Sequence, residues 1–333
     1  MARDRRTIRH VVGIALGAYA VAVVLLAIGV TAFEPRSGVL ALAAILLPHL
    51  CLVALLLVPV AIALRHQLLG ASLAILALVA VVRFGPEWVS LPRAADGRGV
   101  LTVATWNPLS GGTTPDQVIE RLLATDADIV AIQELTPDVA DALDSDPRIA
   151  ERFPDRWLVP EATVLGMGIL SAFPMTIDGA LAETNALVAR VDLGPAGSVS
   201  VVNGHPLPGS IGMVASVPAT FDGTERDAAI GAIRARTDAL LARGERVLVI
   251  GDYNVTPAEA AYRTLTDGLL DAHAEAGNGT GWTWRPRRFA GAGIGLIRID
   301  YILGSPELEP IGTELRCDVP GDHCLLIAEL AVP

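Results

Sequence analysis

The sequence predicts an α+β fold: two packed β-sheets with helices outside them, placed behind a set of membrane-spanning helices. Three observations predict it. Hydropathy is uneven, because between residues 11 and 82 only Glu34, Arg36 and Arg65 carry a permanent charge. Beyond residue 100, short apolar stretches of strand character alternate with a few helical ones and are punctuated by Gly and Pro. The polar residues that could carry chemistry fall at strand ends or just past them. The mean hydropathy of +0.50 over 333 residues is too apolar for an ordinary soluble enzyme. The composition also excludes low-complexity disorder, a collagen-like chain and a disulfide-dense miniprotein.

Residues 1–10 are the polar N-terminus, with Arg3, Arg5, Arg6 and Arg9. Residues 11–33 are an apolar run that, as a helix rising about 1.5 Å per residue, spans a hydrocarbon core of about 30 Å. Residues 39–64 form a second run, containing Pro48, His49 and Pro59, and residues 68–84 a third, shorter one. The first run is too long for a cleaved signal peptide, and further apolar runs follow it. The N-terminal Arg cluster and the Arg65–His66 pair between runs two and three place both segments in the cytoplasm. Three crossings then put the rest of the chain outside. If the third run only lies on the surface, that sidedness reverses.

Residues 85–99, rich in Pro, Gly and Arg, read as a tether to a domain over 100–333. In that domain 101–106 (LTVATW) is a strand, and 113–124 is a helix with Pro at its start and acids within it. Strands follow at 128–133, 163–171, 185–193 and 198–205. An amphipathic helix covers 224–243, a strand 246–252, and a further helix begins near Pro257. Strands at 298–303 and 325–330 close the domain. Segments 206–221 and 289–297 are apolar and loop-like, able to touch lipid, to cover a small pocket or to pack as core.

All 25 basic residues are Arg. Residues 100–333 hold 16 Arg against 32 Asp and Glu, an acidic balance that repels phosphate backbones and weighs against a DNA-coating role. Arg285, Arg287, Arg288 and Arg298 could make a local basic patch or simply a solvated loop. Cys317 and Cys324 are the domain's two thiols, and their spacing leaves a disulfide open.

Phosphoester hydrolysis needs a hard cation on the phosphoryl oxygens, a base for water and donors for the developing charge. Asn107, Glu134 and Asp322 offer an amide oxygen and two carboxylates of the type Mg²⁺ accepts. In GDYN (251–254), period-two alternation places Asp252 and Asn254 on one side, either for water activation and phosphate binding or as turn caps. His205 ends a strand and His323 adjoins one. Asp300 lies in an apolar strand, where an unpaired carboxylate is costly, so a pair with His323 is expected.

The strings TWN (105–107), QE (133–134), SAFP (171–174), NGHP (203–206), GDYN (251–254), RIDYIL (298–303) and GDH (321–323) occur in this order. So arranged, the chain resembles the endonuclease/exonuclease/phosphatase superfamily, the metal-dependent phosphoesterases related to pancreatic deoxyribonuclease. The resemblance covers about residues 100–333 and implies a four-layer αββα sandwich with Mg²⁺, for which Mn²⁺ could substitute. It implies metal-site roles for Asn107, Glu134 and nearby Asp322, and phosphate contacts for His205 and Asn254. It implies water activation or leaving-group protonation for Asp252, and an Asp300-oriented His323. Pro108 stands where a bulky apolar residue is commoner, and Ala172 where an Arg is often found, so substrate identity stays open. The expected activity is phosphoester hydrolysis on lipid head groups or small phosphoesters. An extracellular nuclease and a silent binding module are the alternatives.

Overall fold

The computed structural model describes residues 2–63, 67–90, 94–109, 111–181, 184–286 and 295–333. Arg65, His66, Arg287, Arg288 and residues 289–294 of the second apolar segment lie outside the described residues. The chain divides into two compact units: residues 1–86, 210–224 and 258–260, and residues 87–209, 225–257 and 261–333.

In the first unit α1 (Ala2–Phe33), α2 (Gly38–Ala63) and α3 (Gln67–Trp88) follow one another. The stretches His10–Phe33 and Gly38–Ala63 are long and apolar enough to cross a membrane, while Leu69–Val82 is a shorter apolar helix. In the 18-residue apolar window of each long stretch only 17% and 28% of the residues are buried, unlike the mostly buried core helix of a soluble protein. The Tyr19 hydroxyl in α1 donates to the Leu50 carbonyl of α2 at 2.6 Å. α3 continues through residues 85–88, so the tether expected from residue 85 begins only after Trp88. Helix formers and apolar side chains up to Phe84 carry the helix past Gly85.

The second unit contains β1 (Gly99–Trp106), α4 (Pro115–Leu123), β2 (Ile129–Gln133), α5 (Pro137–Ser145), α6 (Pro147–Arg152), β3 (Asp155–Val159) and β4 (Met167–Ser171). β5 (Met175–Leu181), β6 (Ala186–Asp192) and β7 (Ser198–Gly204) follow. The hairpin β8 (Ser210–Val214) and β9 (Val217–Asp222) belongs to the first unit, and α7 (Thr224–Leu241) starts at the boundary. β10 (Arg246–Asp252), α8 (Ala260–Thr266), β11 (Leu270–Asp271), α9 (Ala272–Ala276), β12 (Asp300–Gly304), β13 (Glu309–Arg316) and β14 (Leu325–Val332) complete the chain.

Two six-stranded sheets form, ordered β13-β14-β1-β2-β4-β3 and β11-β12-β10-β7-β6-β5. Between them lies an aliphatic core that includes Val103, Ile129, Ile169, Val201, Ile250 and Leu326. α4, α5 and α6 cover the outer face of the first sheet through Val118, Leu122, Leu143 and Ile149. α7 and α8 cover the second through Ile230, Ile233, Leu240 and Leu265. This is the αββα order the sequence implies. α4 begins where the motif predicts: Thr114 and Gln117 form a reciprocal capping box ahead of Pro115.

The strand predicted from residue 163 begins only at Met167, because residues 163–166 turn. At Gly166 a Cβ would sit 2.0 Å from the Leu135 carbonyl, and that close approach ends the strand. The segment 206–221 is not a plain loop, since most of it forms the β8–β9 hairpin.

Candidate active site

Strand pairing brings the motif residues together. β1 and β2 are parallel neighbours, so Asn107 and Glu134, each just past a strand's C-terminal end, stand side by side. β7 and β10 are parallel neighbours in the other sheet, which does the same for His205 and Asp252. β12 runs antiparallel to β10 with Asp300 directly opposite Asp252. β14 runs antiparallel to β1, so the turn before it delivers His323 to that same end.

Two glycines permit this crowding. A Cβ on Gly251, whose φ is +138°, would lie 2.0 Å from the Gly204 carbonyl oxygen. Glu134 and Asn254 have positive φ, 52° and 51°, a conformation that turns their side chains out of the preceding strands.

Oδ2 of Asp252 is the meeting point. The Asn107 amide donates to it at 3.1 Å, and also to Glu134 Oε1 at 3.1 Å. His205 Nε2 and His323 Nε2 each lie 3.6 Å from it, close but beyond ordinary hydrogen-bond length. Oδ1 of Asp252 accepts the Asn254 backbone N–H at 3.0 Å. On the far side of His323, Nδ1 faces both Asp300 oxygens, at 2.9 and 3.2 Å. The pair expected from sequence therefore forms. Asn185 exchanges bonds with His205: its carbonyl accepts the His205 N–H at 2.8 Å, and its amide donates to the His205 carbonyl at 3.0 Å. The Asn254 side chain donates to the Pro206 carbonyl at 3.1 Å.

These groups are buried, and burial sets their charges. Burial pushes Asp252 up to about 7, reinforced by the Asp300 carboxylate. It pushes His205 down to about 4, leaving that imidazole neutral. Burial opposes charge on His323 as well, but Asp300 and then Asp252 outweigh it and hold the imidazolium up to about 10. One end of the sandwich thus holds a neutral and a cationic imidazole around a carboxylate poised near neutrality.

The donor set fits a hard divalent cation. Glu134 sits at the edge of this cluster beside the Asn107 NH2. The Asn107 oxygen accepts the Leu109 N–H at 3.0 Å and keeps a second lone pair for a cation, and Asp322 presents a buried Oδ1 with no hydrogen-bond partner. Asp252, Asp300 and His323 also offer ligand-type atoms within 4.8 Å of one another. Their closeness is explained without an ion, because Asp300 hydrogen-bonds Nδ1 of His323 and Asp252 faces the cationic ring's Nε2 at 3.6 Å as an ion pair.

Several contributing residues escape a reading of the motifs. Gln133 Nε2 donates to Asn203 Oδ1 at 2.8 Å across the two sheets, and Asn203 donates to the Ile132 and Gly168 carbonyls. Their signal is a polar residue at the end of an otherwise apolar strand, one place before Glu134 and two before His205. Arg226 donates to the Asn254 carbonyl at 2.7 Å and pairs with Asp227. Arg285 is 1% exposed and bonds the carbonyls of Cys317 and Val319, bracing the loop that carries Asp322 and His323. A Cys317–Cys324 disulfide closes that same loop. Arg298, 3% exposed, pairs with Asp271 at 2.6 Å. Arg285 and Arg298 therefore form neither a surface basic patch nor a solvated loop: their charges are consumed inside the fold. A cavity of about 510 Å³ lies beside Asn185, lined also by Leu165, Leu187, Leu207, Pro208 and Arg226.

Residues 104–323 match the model of the "Endonuclease/Exonuclease/phosphatase family". No curated protein matches the chain by sequence. Among solved structures, an endonuclease/exonuclease/phosphatase from Beutenbergia cavernae is similar at TM-score 0.52 and 17% identity, over 71% of this chain and 72% of that one. TDP2 from D. rerio, complexed with single-strand DNA product, is similar at TM-score 0.53 and 17% identity, over 70% and 99%. An AP endonuclease from Archaeoglobus fulgidus is similar at TM-score 0.50 and 17% identity, over 68% and 98%.

Proposed function

The chain belongs to the endonuclease/exonuclease/phosphatase family, and from that premise we propose a membrane-anchored, divalent-metal-dependent phosphoesterase that hydrolyses lipid head groups or small phosphoesters. The observation that carries the reading is the convergence of Asn107, His205 and His323 on one oxygen of Asp252, with Asp300 behind His323.

Asn107 and Glu134, with Asp322 nearby, would hold Mg²⁺, or Mn²⁺ in its place. A bound ion of this kind neutralises charge on the phosphoryl oxygens and lowers the pKa of attacking water. Asp252, pushed up to about 7, accepts the proton of the attacking water as the water oxygen bonds phosphorus and the P–O bond to the alcohol breaks, the departing oxygen taking its proton from His323. His323, kept cationic by Asp300, holds a proton toward the developing charge. His205, neutral, and Asn254 orient the phosphate. Asp300 fixes the His323 ring and is a positioning residue.

The acidic balance of residues 100–333 and the burial of Arg285 and Arg298 favour a compact phosphoester over a nucleic acid. The largely apolar cavity beside His205's partner Asn185 suits the alcohol portion of such a substrate. Two long, mostly exposed apolar helices support a multi-pass anchor in the cell membrane. The N-terminal Arg cluster supports an extracellular domain, and the disulfide suits an oxidising compartment.

The test is turnover by the detergent-purified chain with Mg²⁺ or Mn²⁺ on phospholipids, nitrophenyl phosphates and plasmid DNA. Metal-dependent release from the first two is expected. Cleavage of DNA alone would replace this reading with a nuclease, and inactivity on all three with a binding module.

A further inference from the structure

The β8–β9 hairpin carries an observation the catalytic reading does not use. Residues 206–221 contain no charged side chain. Ile211, Met213, Val214 and Val217 are 54%, 55%, 66% and 62% exposed, so among the described residues four large apolar side chains near the hairpin's tip stay open to solvent. The tip is a two-residue turn, Ala215–Ser216, with φ of 48° and 64°, the tight geometry that keeps two strands paired to their end. At its base the hairpin joins the connection between α1 and α2. Ser37 bridges Asp222 and Gly38 bridges Phe221, both antiparallel, and the Gly223 N–H donates to the Arg36 carbonyl at 2.8 Å. All of these residues belong to the first unit.

The direction of that pairing matters. Going from Ser37 to Gly38 leads into α2, and the antiparallel partners run from Asp222 to Phe221, toward the tip. The apolar end of the hairpin therefore points the same way as α2, and β9 packs along that helix. The polar end, with Asp222, stays level with Glu34 and Arg36.

Resting on the reading of α1 and α2 as membrane spans, we propose that the β8–β9 hairpin is a lipid-seated element. It lies at the membrane interface beside the first turns of α2, with Ile211, Met213, Val214 and Val217 directed into lipid. A consequence follows for the path of the chain. The hairpin is continuous in the chain with Gly209 and Glu225, so on this proposal those two residues emerge on the same side of the bilayer as residues 36–38. α2 crosses away from that side, and only a second crossing can return the chain to it. α3, whose apolar stretch Leu69–Val82 is shorter than those of α1 and α2, is on this proposal that crossing and not a surface helix.

The experiment uses the full chain in its membrane, with Cys51→Ala as background. Ser37→Cys and Asp222→Cys are combined with a protease site inserted after Ala95. The two fragments should stay joined after cleavage until a reductant is added. In separate variants, Ser37→Cys and Glu151→Cys, on an exposed helix of the catalytic unit, should both react with a membrane-impermeant maleimide from the same side. Fragments that separate without reductant, or labelling from opposite sides, would overturn the proposal while leaving the anchor intact. Release of the whole chain by alkaline carbonate would instead overturn the anchor on which it rests.

Discussion

Two buried charge clusters share the second sheet, and their difference separates support from chemistry. Around Asp271 the carboxylate receives Arg298 at 2.6 Å, the Tyr262 hydroxyl at 2.7 Å and the backbone N–H groups of His273 and Ala274. The Arg298 guanidinium stacks 4.9 Å over the Tyr301 ring, so every group is satisfied and the cation is permanent. Around Asp252 the partners are two imidazoles, His323 cationic and His205 neutral, two contacts stay open at 3.6 Å, and the carboxylate is pushed up to about 7. Arg298 and Asp300 are two residues apart in the chain, yet one closes a structural network and the other feeds a titratable one. A closed network with a permanent charge holds the fold. An open one with movable protons can do work on a substrate.

Breaking each cluster should therefore have opposite signatures. The largest effect expected is on turnover: Glu134→Gln should lower phosphoester hydrolysis by about 10²–10⁴-fold or more while thermal unfolding stays near wild type. A matching fall in stability would erase the distinction. Next, Asp271→Asn should destabilise the chain by about 3–5 kcal/mol, since Arg298 is left buried without its partner, with turnover of the folded fraction retained. Denaturant unfolding measured beside specific activity checks both halves.

A third prediction concerns pH. His323 is held up to about 10 in the folded chain, above an unfolded value of about 6.5. Its stabilising contribution is complete below pH 6.5 and is lost as pH rises through 10. The stability of chelator-treated protein should thus fall on the alkaline side, and His323→Gln should flatten that arm. The Asp271–Arg298 cluster gives no such arm, because Asp271 is held below the ordinary carboxylate range and its contribution disappears only in acid. The smallest effect expected is from Cys317→Ser with Cys324→Ser. Opening a loop this short should cost about 2 kcal/mol, and the loss in turnover should exceed that in stability because the loop carries His323.

Much of this contrast is legible in the sequence, and the illegible part has a physical cause. Asp300 inside an apolar strand predicts a buried partner, and the strand-end position of His323 names it. Asn107, Glu134, His205 and Asp252 stand at the ends of clear apolar strands, so parallel pairing assembles them two by two, one pair in each sheet, and the packing of the sheets brings the pairs together. β5 and β13 are hidden because their outward residues (Asp178 and Glu314 among them) interrupt the apolar signal at an edge. The β8–β9 hairpin lacks the Asn-Gly turn that usually marks one, having Ala215–Ser216 instead. Arg285 and Arg298 mislead because charge density in sequence says nothing of burial, and their partners are backbone carbonyls or a carboxylate far along the chain.

The amide bridge from Gln133 to Asn203 has one more consequence. Asn107 and Glu134 are carried by one sheet, while His205, Asp252 and Asp300 are carried by the other. An aliphatic layer between two sheets resists separation but offers little against sliding. The paired amides act as a dowel through that layer, so a shear that would draw the cation-binding half away from the proton-handling half must first break them. Replacing both with leucine would leave an oilier and equally full interior whose two halves could drift out of alignment.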